Sequence, residues 1–137
     1  MEETIFTKII KGDIPSHKVY EDAYTLAFLD IFPETKGHTL VIPKVPVEFV
    51  WDLPSEEYTR LMHTTQKVAK VLREKLGTAY VGSKVVGTDV PHAHVHLLPF
   101  DITVNGAPKK TPHQGEPDHE ALAALAVELS FTDDESL

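Results

Sequence analysis

Three histidines occupy every second position of one short stretch, and this spacing limits the possible folds more than any other feature of the chain. The stretch reads His-Ala-His-Val-His-Leu over residues 92–97. A period of two belongs to a β-strand, because successive side chains on a strand point to opposite faces. The spacing therefore predicts a strand with an apolar face and a row of imidazoles, each about 6.5 Å from the next.

Hydrophobic periodicity predicts the elements around this row. In chain order it predicts a short helix at 4–10 that ends at Gly12, two strands at 18–20 and 25–29 that form a hairpin, a strand at 38–43, a long helix from Ser55 to Gly77, and a strand at 80–86. The tight connection at 87–90 makes this last strand an antiparallel neighbour of the histidine strand. Asp118 is expected to cap a final helix, and the acidic end at 133–135 is expected to fray.

Together these elements predict an α+β fold with a mainly antiparallel sheet of about five strands. One long helix, a short N-terminal helix and a C-terminal helix accompany the sheet. A length of 137 residues corresponds to one domain with its own core. We therefore expect a single domain over residues 1–137, in which the loop and helix at 101–137 have no assigned role.

Composition excludes several classes of function. The formal net charge is -8 and the longest basic run is Lys109 with Lys110, which argues against a nucleic acid duplex as partner. The chain has no cysteine, so disulfides, thiol nucleophiles and cysteine-containing zinc sites are excluded. No signal peptide or membrane-spanning stretch is visible, so we expect a cytoplasmic protein with no membrane partner.

Four interpretations of the histidine row remain open at this point. The histidines could be ordinary hydrogen-bonded residues, although strict alternation of three is unusual. They could bind a metal ion, although the outer two Cα atoms of a straight row lie about 13 Å apart, which suits one tetrahedral ion poorly. They could belong to a noncatalytic nucleotide-binding module. Finally, the middle imidazole could attack phosphorus while its neighbours orient it and donate protons.

Two features favour chemistry at phosphorus. Crowded imidazoles disfavour simultaneous protonation, so the row helps to keep one member neutral and nucleophilic. Backbone N–H groups of the turn at 87–90 could also bind phosphoryl oxygens as negative charge develops on them.

Three segments resemble the histidine triad family in the family's own order. Residues 92–98 match its motif His-φ-His-φ-His-φ-φ, where φ is apolar, while residues 5–16 resemble its opening helix and loop. Residues 27–31 and 37–44 resemble its nucleoside-binding strands. The resemblance covers about residues 3–100 and is strongest to the Hint-like branch. It implies a HIT-like fold and, as is usual in that branch, a homodimer.

The resemblance implies a nucleotide hydrolase or transferase that needs no metal or cofactor. Its substrates would be purine nucleotide conjugates such as nucleoside 5'-phosphoramidates, cleaved at the α-phosphorus through a nucleotidyl-histidine intermediate. A dinucleoside polyphosphate hydrolase is the alternative within the family, disfavoured because Phe100 follows Pro99 where that branch tends to have arginine. A noncatalytic purine nucleotide-binding module is the alternative of another class.

The resemblance also implies roles for individual residues. His94 matches the nucleophile, His96 matches the residue that contacts the scissile phosphate and assists the leaving group, and His92 and His38 match supporting histidines. Asp30 matches the carboxylate that binds the ribose hydroxyls, although it could simply form a turn. The residues that match the apolar walls around the base could equally be core residues, and they are Phe6, Ile9, Phe28, Ile31 and Leu40.

The segment before the triad departs from the family pattern. Well-known members have a longer glycine-rich loop there with a Gln-Ser pair that contacts phosphate, whereas this chain has the short turn at 87–90. Thr88, Asp89 and Val90 are therefore predicted to contact the nucleotide in place of that loop. Asp89 puts an acid where a hydroxyl is expected and would repel phosphate. Either its side chain points away from the site, or the substrate preference differs.

Overall fold

A five-stranded antiparallel sheet forms the centre of the computed structural model, which describes residues 3–134. The strands are β1 (Lys18–Glu21), β2 (Thr25–Leu29), β3 (Thr39–Pro43), β4 (Tyr80–Lys84) and β5 (Val95–Phe100), and the helices are α1 (Ile5–Lys11), α2 (Ser55–Leu76) and α3 (His119–Leu129). The strand order is β1-β2-β3-β5-β4, and every neighbouring pair is antiparallel. The predicted α+β class and mainly antiparallel sheet are confirmed.

The two faces of the sheet are covered by different helices. Residues of β2 and β3 are buried on both sides. One face packs against Phe6 and Ile9 of α1 through Leu26, Phe28 and Leu40. The other face packs against α2 and α3, with a core that includes Ala27, Leu29, Val41, Val95, Leu97, Leu61, Val68, Leu72, Leu122 and Leu129. The sheet therefore separates α1 from the two longer helices.

Helix α1 is short, and its two ends are fixed by its own sequence. The Thr4 hydroxyl accepts hydrogen bonds from the N–H groups of Phe6 and Thr7, and the Thr7 hydroxyl bonds to the Thr4 N–H in return. Gly12 ends the helix in the left-handed conformation at φ 86°. This capping box holds Phe6 and Ile9 against the sheet.

The histidine strand begins later than its alternation predicts. Strand β5 starts at Val95, so His92 and His94 lie in an extended segment before it, whereas His96 lies within it. The cause is a different pairing, since the Ala93 N–H donates to Val47 O at 2.8 Å outside the ladder. Two smaller boundary predictions are also wrong, because β4 ends at Lys84 and β3 begins at Thr39.

The C-terminal segment packs more closely than expected. Asp118 caps α3 through the Ala121 N–H, as predicted. Beyond the helix, Phe131 is buried and stacks on Tyr20. Asp133, which was expected to fray, accepts hydrogen bonds from Tyr20 and Lys67 at 2.8 Å each, while residue 135 lies outside the described residues. Within residues 3–134, no helix has the length and apolarity needed to span a bilayer.

Candidate active site

Four histidines, three from one stretch and His38 from the start of β3, meet on the face of the sheet that carries α1. Leu40 of β3 stands opposite His96 of β5, so both side chains share that face. The ring of His96 lies 5.0 Å from that of His94 and 5.2 Å from that of His38, measured between centroids. All four predicted histidines, His38, His92, His94 and His96, are buried. The intervening Ala93, Val95 and Leu97 lie in the core on the opposite face, as the alternation predicts.

A hydrogen bond to a backbone carbonyl fixes the tautomer of His94. Its Nδ1 lies 2.7 Å from the carbonyl oxygen of His92. A carbonyl can only accept a hydrogen bond, so Nδ1 must carry the proton and donate. In the neutral imidazole, Nε2 then carries a lone pair, and this atom is buried without a hydrogen-bond donor among the described residues. The fold therefore presents His94 with a free lone pair on Nε2.

A second chain of hydrogen bonds fixes the tautomers of His38 and His96. The backbone N–H of Glu34 donates to His38 Nδ1 at 3.1 Å, so that nitrogen is unprotonated. Neutral His38 therefore has its proton on Nε2, which donates to His96 Nδ1 at 2.9 Å. The proton of neutral His96 must then be on Nε2. An N–H donor on His96 thus lies beside the lone pair of His94.

His92 supports its neighbours through two hydrogen bonds, one from its own ring to a backbone carbonyl and one that its backbone carbonyl accepts. Its Nε2 lies 2.8 Å from the carbonyl oxygen of Pro43 and must donate to it. Its own carbonyl oxygen receives the His94 Nδ1 proton. His92 therefore anchors the segment before β5 to the end of β3, and its backbone orients the ring of His94.

Burial favours the neutral forms of His38, His92 and His96 near pH 7. Loss of hydration lowers the pKa of His38 to about 4. Burial also lowers the pKa of His96 to about 4, assisted by the neighbouring His38 and His94 rings. Burial lowers the pKa of His92 as well. The accepting Nδ1 atoms of His38 and His96 require the neutral forms of these two rings.

Asp30 lies at the junction of the histidines and a large cavity. Its Oδ1 accepts a hydrogen bond from the Phe32 N–H at 2.8 Å, which is the turn-forming role, and its Oδ2 lies 3.6 Å from His38 Nε2. Burial raises the pKa of this carboxyl, although the Phe32 hydrogen bond opposes the shift. The turn therefore aims the second oxygen of Asp30 at the site, and its contact with the ribose hydroxyls stays a prediction.

The large cavity has a volume of about 670 Å³ and lies between α1 and the sheet. The ring of Phe6 meets the rings of Phe28 and His94 edge to face at 5.5 Å and 5.2 Å, which joins the apolar wall to the triad. All of the apolar residues predicted to enclose the base line this cavity, namely Phe6, Ile9, Phe28, Ile31 and Leu40. Sequence reasoning missed further lining residues, among them Ile14, Ser16, His17 and His119. Of these four, Ile14 and Ser16 lay in a segment that carried the resemblance, whereas His17 and His119 did not.

A smaller cavity of about 370 Å³ is lined by His96 and adjoins the large cavity, with which it shares Asp89. Its lining includes Lys84 and Glu34, which form an ion pair at 2.5 Å and which sequence reasoning did not single out. The residues of the predicted turn are divided between the cavities. Thr88 lines the smaller one, Val90 lines the larger one, and Asp89 lines both.

The side chain of Asp89 points into the site, so the alternative in which it points away is wrong. Its Oδ1 lies 3.2 Å from His94 Nε2. The same oxygen accepts the backbone N–H of Val90 at 3.0 Å, so this predicted phosphate donor is engaged by Asp89. A carboxylate oxygen and an imidazole lone pair are both acceptors, so this contact is favourable only with a proton or cation between them.

Among residues 3–134, two mixed sets of side chains have the composition of divalent metal sites. The sets are Asp30, His38, His96 and Asp89, His94, His96, and within each set the ligand atoms lie within 4.8 Å of one another. Both sets need a lone pair of His96. Its Nδ1 already receives the His38 proton and its Nε2 carries its own proton, so metal binding would require rearrangement of this hydrogen-bond chain.

The family model, the similar proteins and the similar solved structures all indicate the same family. A family model described as HIT domain matches residues 11–102. Protein hit from Bacillus subtilis is 46% identical over 103 residues, covering 72% of this chain and 71% of that protein. Adenosine 5'-monophosphoramidase HNT1 from Saccharomyces cerevisiae is 40% identical over 128 residues, covering 91% and 79%. The crystal structure of a Hit-like protein from Bartonella henselae matches with a TM-score of 0.82 at 29% identity, covering 93% and 94%.

Proposed function

The chain belongs to the HIT, or histidine triad, family, and from this premise we propose that it hydrolyses nucleoside 5'-phosphoramidates or related nucleotidyl conjugates at the α-phosphorus. The observation that carries the proposal is the hydrogen bond from His94 Nδ1 to the His92 carbonyl, which leaves a buried lone pair on Nε2. Relatives named as phosphoramidases, from yeast and from Escherichia coli, support this choice of substrate class.

The proposed reaction has two displacements at phosphorus. In the first, His94 Nε2 bonds to the α-phosphorus as the bond to the protonated leaving nitrogen breaks, and the amine departs. In the second, water attacks the nucleotidyl-histidine intermediate, the bond from Nε2 to phosphorus breaks, and a nucleoside monophosphate leaves as one proton passes to solvent. His96 Nε2–H donates to a phosphoryl oxygen or the leaving nitrogen in both steps and so stabilises developing negative charge.

The remaining residues hold the nucleotide and the catalytic rings. His38 orients His96, and the His92 carbonyl orients His94. Asp30 binds the ribose hydroxyls through the oxygen that faces the site. The apolar walls around Phe6 and Phe28 enclose the base, and Thr88, Asp89 and Val90 lie along the phosphate. No metal or cofactor is part of this proposal, because His96 Nδ1 already accepts the His38 proton and its Nε2 carries a proton of its own.

The charges around the smaller cavity favour an amine leaving group over a polyphosphate. Asp89, Asp30 and Glu34 line it together with one lysine, Lys84, which is paired with Glu34. A polyphosphate leaving group would bring several more negative charges into this space. Dinucleoside polyphosphate hydrolysis is therefore the second candidate, and a noncatalytic purine nucleotide-binding module is the third.

The proposal includes a homodimer whose sheet continues across a twofold axis. Strand β4 lies at the edge of the sheet, where the exposed Tyr80 stacks on Phe100. Light scattering should give twice the mass of the chain, and a monomer at micromolar concentration would contradict this part of the proposal.

A cytoplasmic location stays a prediction from the sequence, to be checked by cell fractionation.

The proposed activity is tested with adenosine 5'-phosphoramidate and a dinucleoside tetraphosphate, each incubated with the protein and a chelator. We expect release of adenosine monophosphate from the phosphoramidate and a rate at least about a thousandfold lower for His94→Ala. His63→Ala, an exposed change on α2, is the matched control and should keep full activity. Binding of adenosine monophosphate with no turnover of either substrate would favour the noncatalytic module, and unchanged turnover by His94→Ala would refute the role of His94.

A further inference from the structure

The smaller cavity contains an ammonium group that the proposed chemistry does not use. Lys84 is the last residue of β4, and it stands opposite His96 in the ladder between β4 and β5. Residues that stand opposite each other in an antiparallel pair project to the same face of the sheet. Both side chains line the smaller cavity. The side chain of Lys84 therefore lies on the face that carries the triad, beside the ring that offers an N–H donor.

The side chains that line the two cavities are predominantly acidic. Three of them are carboxyl groups, those of Asp30, Glu34 and Asp89. Among the residues that the structure describes, Lys84 is the one lysine or arginine that lines either cavity. The imidazoles of His38 and His96 do not offset the acids, because burial lowers the pKa of each to about 4 and so leaves both uncharged at pH 7. An incoming phosphoryl group therefore finds its permanent positive charge at Lys84.

The ammonium of Lys84 is held by a carboxylate that has a second cation available. Lys84 Nζ donates to Glu34 Oε2 at 2.5 Å, and Glu34 Oε1 lies 3.6 Å from Lys110 Nζ. The hydrogen bond from Lys84 is the main cause that lowers the pKa of Glu34, and the charge of Lys110 adds to it. Lys84 can therefore exchange Glu34 for a phosphoryl oxygen without leaving that carboxylate uncompensated.

We propose that Lys84 binds a non-bridging oxygen of the α-phosphoryl group and that Glu34 holds its ammonium at the site until the nucleotide enters. Lys84 keeps its proton throughout, so it adds no chemical step to the two displacements. Its charge stabilises the phosphoryl oxygens as negative charge develops on them, together with the N–H of His96. This inference rests on the proposed function, because it assumes that the phosphorus lies beside His94 and His96.

An ordinary surface ion pair is the competing explanation. Such a pair contributes little to stability, and removal of either partner breaks it equally. The proposed role predicts opposite effects on phosphate affinity. Loss of the Lys84 ammonium should weaken binding, whereas Glu34→Gln should strengthen it, because that change releases the ammonium and removes a negative charge. The backbone N–H of Glu34, which orients His38, is retained in Glu34→Gln.

The first experiment is calorimetric titration of adenosine and adenosine monophosphate into wild type, Lys84→Met, Lys84→Arg and Glu34→Gln. Lys70→Met, an exposed change on α2 outside both cavities, is the control for net charge. Affinity for the monophosphate should fall about five- to tenfold in Lys84→Met and rise about two- to fivefold in Glu34→Gln. Affinity for adenosine, which has no phosphate, should not change in any variant. Lys84→Arg and Lys70→Met should stay within about twofold of wild type, and high salt should reduce the effects.

The second experiment measures kcat/KM for adenosine 5'-phosphoramidate in the same variants. A group that stabilises developing charge affects the transition state more than the bound product. We therefore expect kcat/KM to fall about tenfold to a hundredfold in Lys84→Met, and Lys84→Arg should retain most of the activity because it keeps the charge.

Three binding results would overturn the inference. They are an equal affinity of wild type for adenosine and its monophosphate, an unchanged affinity for the monophosphate in Lys84→Met, and changes of the same sign in Lys84→Met and Glu34→Gln. Because binding is measured without turnover, it separates this inference from the proposed function. Phosphate-dependent binding through Lys84 without hydrolysis would refute the proposed function alone, whereas hydrolysis that Lys84→Met leaves unchanged would refute the role of Lys84 alone.

Discussion

At the residue scale, His94 and Asp89 hold two hydrogen-bond acceptors 3.2 Å apart, and an incoming phosphate must enter that contact. The carboxylate is more than half exposed, so water screens its charge. Its repulsion of a further negative charge nearby is therefore on the order of 1 kcal/mol, the value for two charges about 4 Å apart in water. A charge at this position should weigh most heavily against polyphosphate leaving groups.

Replacing Asp89 by asparagine removes the charge and keeps the size of the side chain. We expect the ratio of kcat/KM for a dinucleoside tetraphosphate to that for adenosine phosphoramidate to rise about fivefold to tenfold. Steady-state kinetics at two salt concentrations measures the ratio, and the effect should shrink at high salt. Asp52→Asn, outside both cavities, is the matched control. An unchanged ratio in Asp89→Asn would show that the carboxylate does not influence the choice of leaving group.

Sequence reasoning identified these residues but not their chemistry. The alternation of three histidines was sufficient to place His92, His94 and His96 in one row. The tautomer of His92 depends on the Pro43 carbonyl, and that of His96 depends on Glu34 through His38; both contacts join parts of the chain that are remote in sequence. The direction of Asp89 likewise depends on its bond to the Val90 N–H, for which the turn sequence has no distinct signal.

At the element scale, helix α1 forms one wall of the nucleoside cavity, although seven residues are too few for a stable isolated helix. Its capping box and the packing of Phe6 and Ile9 must therefore maintain it. The same residues connect this wall to the reacting group, because the Phe6 ring contacts His94 edge to face. Loss of the cap should consequently affect both stability and nucleotide binding.

Thr4→Ala removes the hydroxyl that caps two N–H groups of α1. We expect the free energy of unfolding to fall by about 1 kcal/mol and nucleotide affinity to weaken, because the cavity wall loses order. Denaturant unfolding and calorimetric titration measure the two quantities. Thr4→Ser retains the capping oxygen and should keep most of both. Equal losses in the two variants would assign the effect to the buried methyl group and not to the cap.

Regular periodicity made most elements predictable, and exceptions occur where pairing is irregular. The i, i+3, i+4 pattern of α2 and the apolar run of β2 correspond closely to the observed helix and strand. The start of β5 was predicted too early because the backbone at Ala93 pairs with Val47 outside the ladder. Side-chain alternation continues through that segment, so the pattern contains no sign of the break.

At the scale of the whole molecule, we propose that residues 1–137 form one cooperative domain in which the C-terminal helix belongs to the core. Leu129 and Leu122 of α3 and the following Phe131 are buried in the same cluster as Leu61 and Leu72 of α2. Burial of three such side chains contributes about 5–9 kcal/mol. This is comparable to the whole stability of a domain, about 5–15 kcal/mol.

Leu129→Ala tests this proposal against Val127→Ala on the exposed side of the same helix. We expect the first change to lower the free energy of unfolding of the whole chain by about 2–5 kcal/mol in a single transition. The second should change it by less than about 0.5 kcal/mol. Calorimetry with a far-ultraviolet probe follows the transition. A separate early transition in Leu129→Ala would mean that α3 unfolds independently.

The amphipathic pattern predicted α3, whereas the packing beyond it was not predictable from the sequence. Phe131 follows the helix with no periodic neighbour, and its burial depends on Tyr20 in β1. Asp133 lies in an acidic run that normally indicates a frayed end, yet Tyr20 and Lys67 bind it. Both contacts join segments more than sixty residues apart, so local sequence carries no signal for them.

The central claim is that His94 Nε2 bonds to the α-phosphorus during turnover. The most direct measurement is rapid quenching in alkali, in which phosphorylated imidazoles survive, during turnover of an adenosine phosphoramidate labelled at phosphorus. The quenched protein is then digested and its peptides are mapped by mass spectrometry. We predict one nucleotidyl group per site, carried by His94 and absent from His94→Ala. A label on any other residue, or full turnover by His94→Ala, would contradict the account.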